Sequence, residues 1–400
     1  MHPHISRLYH LSNKPDRLIV GLMSGTSLDG LDVALCKIGN HGVNTRANVL
    51  HFETVQYEKN FTERVRTVFS KRDVDLQQVC LLNPWIAEQH AQMVLQCLQR
   101  WNYTVDEIDL IASHGQTIFH SPRSFHQLPE YGNATLQIGD GDHLASKSGI
   151  ITISDFRQKH IAAGGEGAPL AMYGDYLIFS TPRENRIMLN IGGIANLTWL
   201  PATQSAKEVL STDIGPGNTM MDALVRQQKV DLQFDVDARI ARSGKVSGKL
   251  LGALKKNPFF ELPLPKTVGP ELFNLDYLAQ AIKQSMTELL SLSDQLATLN
   301  QFSADRITKL IQHVTAGENQ FSVYVSGGGI HNTLLLENIA VNLPGTTIAS
   351  TEVLGIHPDA KEALLFALLA NECVAGEARK LGNTRPETKS LTMGKISFPD

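Results

Sequence analysis

The sequence is poor in cysteine: Cys36, Cys80, Cys97 and Cys373 are the only four in 400 residues, far apart and without a C-x-x-C pair. That spacing argues against a disulfide scaffold or a zinc knuckle and makes a reducing compartment the default. There is little excess of charge of either sign, Lys+Arg 36 against Asp+Glu 40 for a formal net charge of -4. No Lys/Arg-rich run supplies the basic face that nucleic acid requires, so no nucleic-acid partner is expected. Long apolar runs are missing too. The longest, such as Ala363 to Ala370, fall far short of the roughly 18 residues of a membrane span, so no membrane partner is expected. Residues 1–16 carry His2, His4, Arg7 and His10 but no apolar stretch of a secretory signal, and read as a flexible arm on a cytoplasmic protein. Small-molecule chemistry is what remains.

Apolar material for a folded core is present, 42% hydrophobic against 19% charged side chains. At roughly 100–200 residues per domain the length predicts about two or three domains, with a cleft between lobes. The first strand reads as Arg17 to Leu22, running into the polar turn Met23-Ser24-Gly25-Thr26-Ser27, with Leu31 to Ile38 returning. A second hairpin, Arg186 to Leu200 with Ile191-Gly192-Gly193-Ile194 at its tip, loosely repeats the first and suggests a duplicated lobe. Between Pro84 and Trp101 the residues Ile86, Met93, Val94, Cys97, Leu98 and Trp101 share one helical face. Apolar runs at 108–112, 134–138 and 150–153 end in Gly, His, Asp or Ser, the pattern of an α/β fold whose site lies along a sheet edge. Helices are expected over Thr219 to Gln228 and Ala360 to Lys380, and a strand over Ser322 to Val325.

The first tip offers the hydroxyls of Ser24, Thr26 and Ser27, the glycines Gly21, Gly25 and Gly30 with their tolerance of positive φ, and the acid Asp29. Such a turn can aim backbone N–H groups at an anion. It lacks the lysine of a G-x-x-x-x-G-K-[ST] loop, so a phosphate held there would rely on amides, hydroxyls and a metal ion. Alone, it also reads as an ordinary turn. Gly192 and Gly193 form the second tip, and Gly327, Gly328 and Gly329 close a strand where a flat ligand could approach the backbone. Asp213, with Gly217 and Asn218 just after it, stands at a strand-to-helix turn. A catalytic carboxylate and an Asx-turn acid are equal readings of it. His114 and Gln116, then Asp155 and Arg157, are polar groups at other strand ends. No H-x-x-x-H or H-E-x-x-H pattern accompanies the histidines, which favours hydrogen bonding over metal ligation. Arg157 can meet an anionic ligand group or pair structurally with Asp155 or another acid.

The string Gly21-Leu22-Met23-Ser24-Gly25-Thr26-Ser27-Leu28-Asp29-Gly30 resembles the anhydro-N-acetylmuramic acid kinase family. The likeness continues through Ser113 to Thr117, Thr135 to Asp140, Asp155-Phe156-Arg157, Gly167 to Leu170, Asn190 to Asn196, Asp213 to Asn218, Ser326 to Gly329, Gly355-Ile356 and Glu362-Ala363. The resemblance implies the two-lobed fold of actin, sugar kinases and Hsp70, α/β with a duplicated β-hairpin and a mixed-sheet core. Residues 17–147 would form the N-terminal lobe, joined by 385–400, and 148–384 the C-terminal lobe. It implies ATP-dependent opening and phosphorylation of 1,6-anhydro-N-acetylmuramic acid in peptidoglycan recycling, with ATP and Mg²⁺ as cofactors. By the same resemblance Asp213 is the base for the attacking water. Gly21, Ser24, Gly25, Thr26, Ser27 and Asp29, with Gly192, Gly193, Gly327, Gly328 and Gly329, take the nucleotide. Asp29 faces Mg²⁺ through water, and His114, Gln116, Asp155, Arg157, Gly217 and Asn218 take the amino sugar.

The chain departs from the family pattern in three places. His160 stands where an acid is usual, Glu166 where a glutamine is usual, and Lys266-Thr267-Val268-Gly269-Pro270-Glu271 lacks the family's arginine. The alternatives are a kinase of this fold for another amino sugar or an acyl acid, and an actin- or Hsp70-like ATP-dependent conformational protein. A homodimer is one oligomeric state the reading allows.

Overall fold

Strand β1 (Asp16–Ser24) is apolar on both faces, and both are covered. Val20 and Leu22 join Leu31, Val33 and Leu35 of β2 (Gly30–Gly39) in a core closed by Ile86 and Val94 of the Leu76–Arg100 helix. On the other face the Lys361–Ala375 helix packs so closely that a Cβ at Gly21 would stand 2.0 Å from the Ala363 carbonyl oxygen. Fully burying each such leucine or isoleucine contributes about 1.5–3 kcal/mol, which fixes the register of this hairpin. In the computed structural model the described residues are 2–400 except 230, 270, 317, 319 and 383–388.

The chain divides into two compact units, one running to Phe179 and resuming as Gly355–Asp400, the other Ser180–Leu354. In the first unit β1, β2 and β3 (Arg46–Gln56) form an antiparallel meander. Strands β4 (Leu110–Ser121) and β6 (Thr152–Ser154) follow in parallel, β12 (Lys395–Ser397) closes the edge, and β5 (Ala134–Ile138) pairs with β4. The order is β12-β6-β4-β1-β2-β3. In the second unit β7 (Asn185–Ile191), β8 (Ile194–Leu200) and β9 (Leu210–Pro216) again form an antiparallel meander, and β10 (Phe321–Ser326) and β11 (Thr347–Ser350) continue in parallel from β7. Its order is β11-β10-β7-β8-β9. The two sheets share one layout, so the echo between the hairpins extends to whole sheets.

The division differs from the one expected from sequence. The break expected after Lys147 falls inside the first unit, because β6 pairs with β4 and β12. The other expected break, after Thr384, lies outside the described residues. The expected flexible arm contains a helix, Pro3–Asn13. It is held by burial of Leu11, whose carbonyl accepts from Arg17 Nε at 2.7 Å. The Thr219–Gln228 helix has the expected bounds, whereas the last long helix is Lys361–Ala375, shorter than expected.

Candidate active site

Ser24 ends β1, with its side chain 2% exposed, and enters a run of buried hydrogen bonds. Gln116 on β4 donates its amide Nε2 to the carbonyls of Gly25 (3.3 Å) and Thr117 (3.1 Å). Its Oε1 therefore faces Ser24 and accepts the Ser24 hydroxyl proton at 2.5 Å. With that proton used, Ser24 Oγ accepts from Tyr57 OH at 2.6 Å, and Tyr57 accepts from His90 Nε2 at 3.0 Å. Burial pushes the Tyr57 phenol up and His90 down to about 3, so both stay neutral and the direction of the run is fixed. Ser24 and Gln116, expected to meet nucleotide and sugar, are tied to each other and to the base of the tip by these bonds. Thr26, Ser27 and Asp29 are exposed above it, and Ser27 Oγ donates to Asp29 Oδ1 at 2.8 Å. The left-handed residue of the tip is Leu28, at φ 57°, with its side chain plugged into the core. Gly25 does not take a positive φ, and a Cβ there would meet only Ser27 Oγ at 3.5 Å. Gly21 is a packing glycine under Ala363.

His114 lies one strand over, buried against the Phe366 ring at 4.8 Å between centroids. Arg157, in the Phe156–Ala162 helix that follows β6, donates Nε to His114 Nε2 at 2.9 Å and Nη1 to the Gly167 carbonyl at 2.8 Å. The expected pair with Asp155 is not made. Asp155, itself left-handed at φ 56°, pairs with Lys395 of β12, which draws its carboxylate toward the sheet edge.

In the second unit the carbonyls of Gly192 and Gly193 accept from the backbone of the next turn: Asn218 N reaches Gly192 O at 2.9 Å, and Gly217 N and Thr219 N reach Gly193 O at 2.9 and 3.1 Å. The approach is close enough that a Cβ at Gly217 would sit 2.4 Å from Gly192 O. Gly217 is thus a buried packing residue, with its carbonyl taking the Ser303 hydroxyl at 2.9 Å. Asn218 Oδ1 accepts from Asn332 Nδ2 at 3.2 Å. Of the triple glycine, Gly327 at φ 82° and Gly329 press on the end of β7, and Gly328 alone is exposed with open space where a Cβ would be.

Asp213 is on β9. A side segment docks on that strand: Asp213 N donates to Lys266 O at 2.9 Å, and Val268 N donates to Asp213 Oδ2 at 2.8 Å. Lys266 is buried, with Nζ on the carbonyls of Phe259 (3.0 Å) and Phe260 (3.1 Å) and 4.6 Å from the Phe259 ring centroid. Burial raises the Asp213 pKa, opposed by the Val268 hydrogen bond, and Oδ1 has no partner among the described residues. A desolvated carboxylate with one oxygen held and the other open can take a proton from a water.

Sequence reasoning did not single out Tyr57, His90 or Val268. His90 shares the helical face of Ile86 and Val94, and a histidine on an apolar face was the available signal. Pro270, part of the third departure, lies outside the described residues. Among those residues no cluster of three or more His, Cys, Asp or Glu side chains is placed to hold a metal.

Two sheets of one strand order, each with a glycine-tipped hairpin, and a half-buried carboxylate on one of them have the make-up of a sugar kinase in the actin-like α/β class. The family model for anhydro-N-acetylmuramic acid kinase matches residues 17–398, and the chain belongs to that family. It is 57% identical over 401 residues to the anhydro-N-acetylmuramic acid kinase of Pseudoalteromonas atlantica, covering 100% of both chains. It is 35% identical over 396 residues to that of Caldanaerobacter subterraneus subsp. tengcongensis, covering 98% of this chain and 100% of the relative. A solved ROK family glucokinase from Streptomyces griseus, in complex with glucose and AMPPNP, overlaps at TM-score 0.37 and 10% identity, over 88% of this chain and 98% of that one. No helix among the described residues is long and apolar enough to cross a membrane.

Proposed function

We propose that this protein uses ATP to convert 1,6-anhydro-N-acetylmuramic acid to N-acetylmuramic acid 6-phosphate in cytoplasmic cell-wall recycling. Asp213 takes a proton from water as the water oxygen bonds to C1 of the sugar; the C1–O6 bond breaks, and O6 attacks the γ-phosphorus as ADP leaves. The observation that carries this reading is the Asp213 carboxylate, raised in pKa by burial, held at Oδ2 by Val268 and open at Oδ1.

The exposed tip residues Thr26, Ser27 and Asp29, with Gly25, are assigned to the phosphates. Ser24 and Gln116 position the tip. Magnesium suits the hard oxygen donors at this tip, since it binds through one or two carboxylates completed by phosphates and water. The Asp32 carboxyl, raised by burial and by the nearby charge of Asp29, is the acid a cation would relieve. Bound by Asp29 and Asp32, the ion would offset the charge of the phosphates. A homodimer is the oligomeric state to test by light scattering.

The test is incubation with the anhydro sugar, ATP and Mg²⁺ in ¹⁸O-labelled water. A product heavier by phosphate plus water, with the label at C1, is expected; a gain of phosphate alone overturns the reading.

A further inference from the structure

In the second unit the Leu335 backbone N–H, in the first turn of the Thr333–Asn342 helix, donates to Asn332 Oδ1 at 3.2 Å. That bond fixes the orientation of a whole run of side-chain amides. With its oxygen facing the helix, Asn332 turns Nδ2 toward Asn218 and donates to Asn218 Oδ1 at 3.2 Å. Asn300, on the Leu292–Val314 helix and 0% exposed, must then offer Nδ2 to Asn332 Oδ1, at 2.9 Å. Its own oxygen accepts from Asn338 Nδ2 at 3.0 Å. An amide has one donor end and one acceptor end, so no member of the run can turn over without setting two donors or two acceptors face to face.

The run joins the two glycine turns of this unit. Asn332 closes the triple-glycine turn, with its N–H on the Gly329 carbonyl at 3.0 Å, and Asn218 N–H is on the Gly192 carbonyl at 2.9 Å. The turns also meet at the end of β7, where a Cβ at Gly329 would stand 2.3 Å from Cγ2 of Ile191, the residue before Gly192. Ile191, Gly192, Asn218, Asn332 and Gly329 thus form a closed ring of contacts. Asparagine is a preferred N-cap, yet the Asn218 side chain makes no cap bond to the Thr219–Gln228 helix. Its oxygen serves the neighbouring turn instead.

We propose that Asn332 is a positioning residue for ATP, holding the triple-glycine turn and the Gly192–Gly193 turn at a fixed spacing before the nucleotide arrives. This rests on the kinase reading above. Gly328, exposed and with open space where a Cβ would be, is the point of approach. A surface already ordered in the free protein loses less freedom on binding, so the bond should be felt in nucleotide affinity. Asp213 is held from another segment, by Val268, so kcat should change little.

The experiment measures the affinity for AMPPNP with Mg²⁺ by calorimetry, and the melting temperature, in the wild type, Asn332→Ser and Asn332→Ala. Serine caps a helix about as well as asparagine, but its hydroxyl is one atom shorter and ends short of Asn218; alanine does neither. A neutral hydrogen bond is worth about three- to tenfold in an equilibrium constant, so both variants should bind AMPPNP about three- to tenfold more weakly. Asn332→Ala should melt lower than Asn332→Ser, and the KM for the sugar should stay near that of the wild type in both. If Asn332→Ser loses less than about threefold in affinity, or raises the KM for the sugar as much as that for ATP, Asn332 is a helix cap only and the proposal fails. Should neither variant fold, hydrogen exchange in the free wild type decides. Amides of Asn218 and Asn332 opening together support the ring; one exchanging about tenfold faster than the other overturns it. A wild type that does not bind AMPPNP removes the kinase reading as well, whereas unchanged affinity in Asn332→Ser removes this proposal alone.

Discussion

The Val268 amide donates to Asp213 Oδ2 at 2.8 Å, so a docked side segment, and not the turn that carries the acid, sets which carboxylate oxygen faces outward. Asp213→Asn can keep this hydrogen bond with its amide oxygen but cannot take up a proton. Turnover is expected to fall about 10²–10⁴-fold while ATP binding, read by calorimetry, persists. Loss of less than tenfold would remove Asp213 from the role of base.

The same residue gives two pH effects of known sign. Its folded pKa lies above the usual 3.8, so the acid limb of kcat/KM should fall above that value. A raised acid favours the protonated folded state. Its stability contribution is therefore full below the unfolded pKa and lost as pH rises through the folded one. At pH 7.5 Asp213→Asn should accordingly melt higher than the parent, and at pH 3.5 the difference should shrink. A lower melting temperature at pH 7.5 would contradict the direction of the shift.

Tyr57→Phe removes the acceptor of His90 Nε2 and the donor to Ser24 Oγ. Leaving a buried polar group unpaired costs about 1–3 kcal/mol, to be read by chemical denaturation. Because Ser24 has already given its proton to Gln116, Ser24→Ala should lower stability by a similar amount and change the KM for ATP less than Ser27→Ala does. The reverse order of KM effects would return Ser24 to the phosphates.

Gly21 and Gly25 should respond differently to a side chain. Gly21→Ala places Cβ 2.0 Å from the Ala363 oxygen and should prevent normal folding. At Gly25 a Cβ meets only Ser27 Oγ at 3.5 Å, an ordinary contact, so Gly25→Val should melt within a few degrees of the parent and raise the KM for ATP about tenfold or more. An unchanged KM would show that no phosphate approaches Gly25.

Lys266→Met exchanges a cation capping two carbonyls for an apolar chain of similar length. Freeing the Phe259 and Phe260 carbonyls should loosen the segment that holds Asp213, lowering kcat about tenfold with the KM for ATP unchanged. A variant with normal kcat would show that Val268 is held in place without Lys266.

The hairpins were legible because their tips concentrate Gly, Ser and Thr between apolar strands, a local signal. The Thr219–Gln228 helix was legible for the same reason. What sequence could not supply was pairing at a distance. Arg157 has an acid two positions away, yet binds His114, 43 positions back, while that acid turns to Lys395, 240 positions on. Helix Pro3–Asn13 is too short and polar to declare itself, since its stability comes from Leu11 and Arg17 packing into the first unit. The acid at Asp213 was visible, but its ambiguity between base and turn residue needed the Val268 amide to be seen.

The interrupted first unit sets a schedule for synthesis. Ser180–Leu354 is continuous and can fold as it leaves the ribosome, whereas β1 must wait for the Lys361–Ala375 helix that covers it. Arg17 meets Asn371 across 354 positions of chain, at 3.0 Å. Until those last residues emerge, the first glycine-tipped hairpin sits on an uncovered apolar strand, an aggregation risk that makes the C-terminal helix the step at which the nascent chain becomes safe.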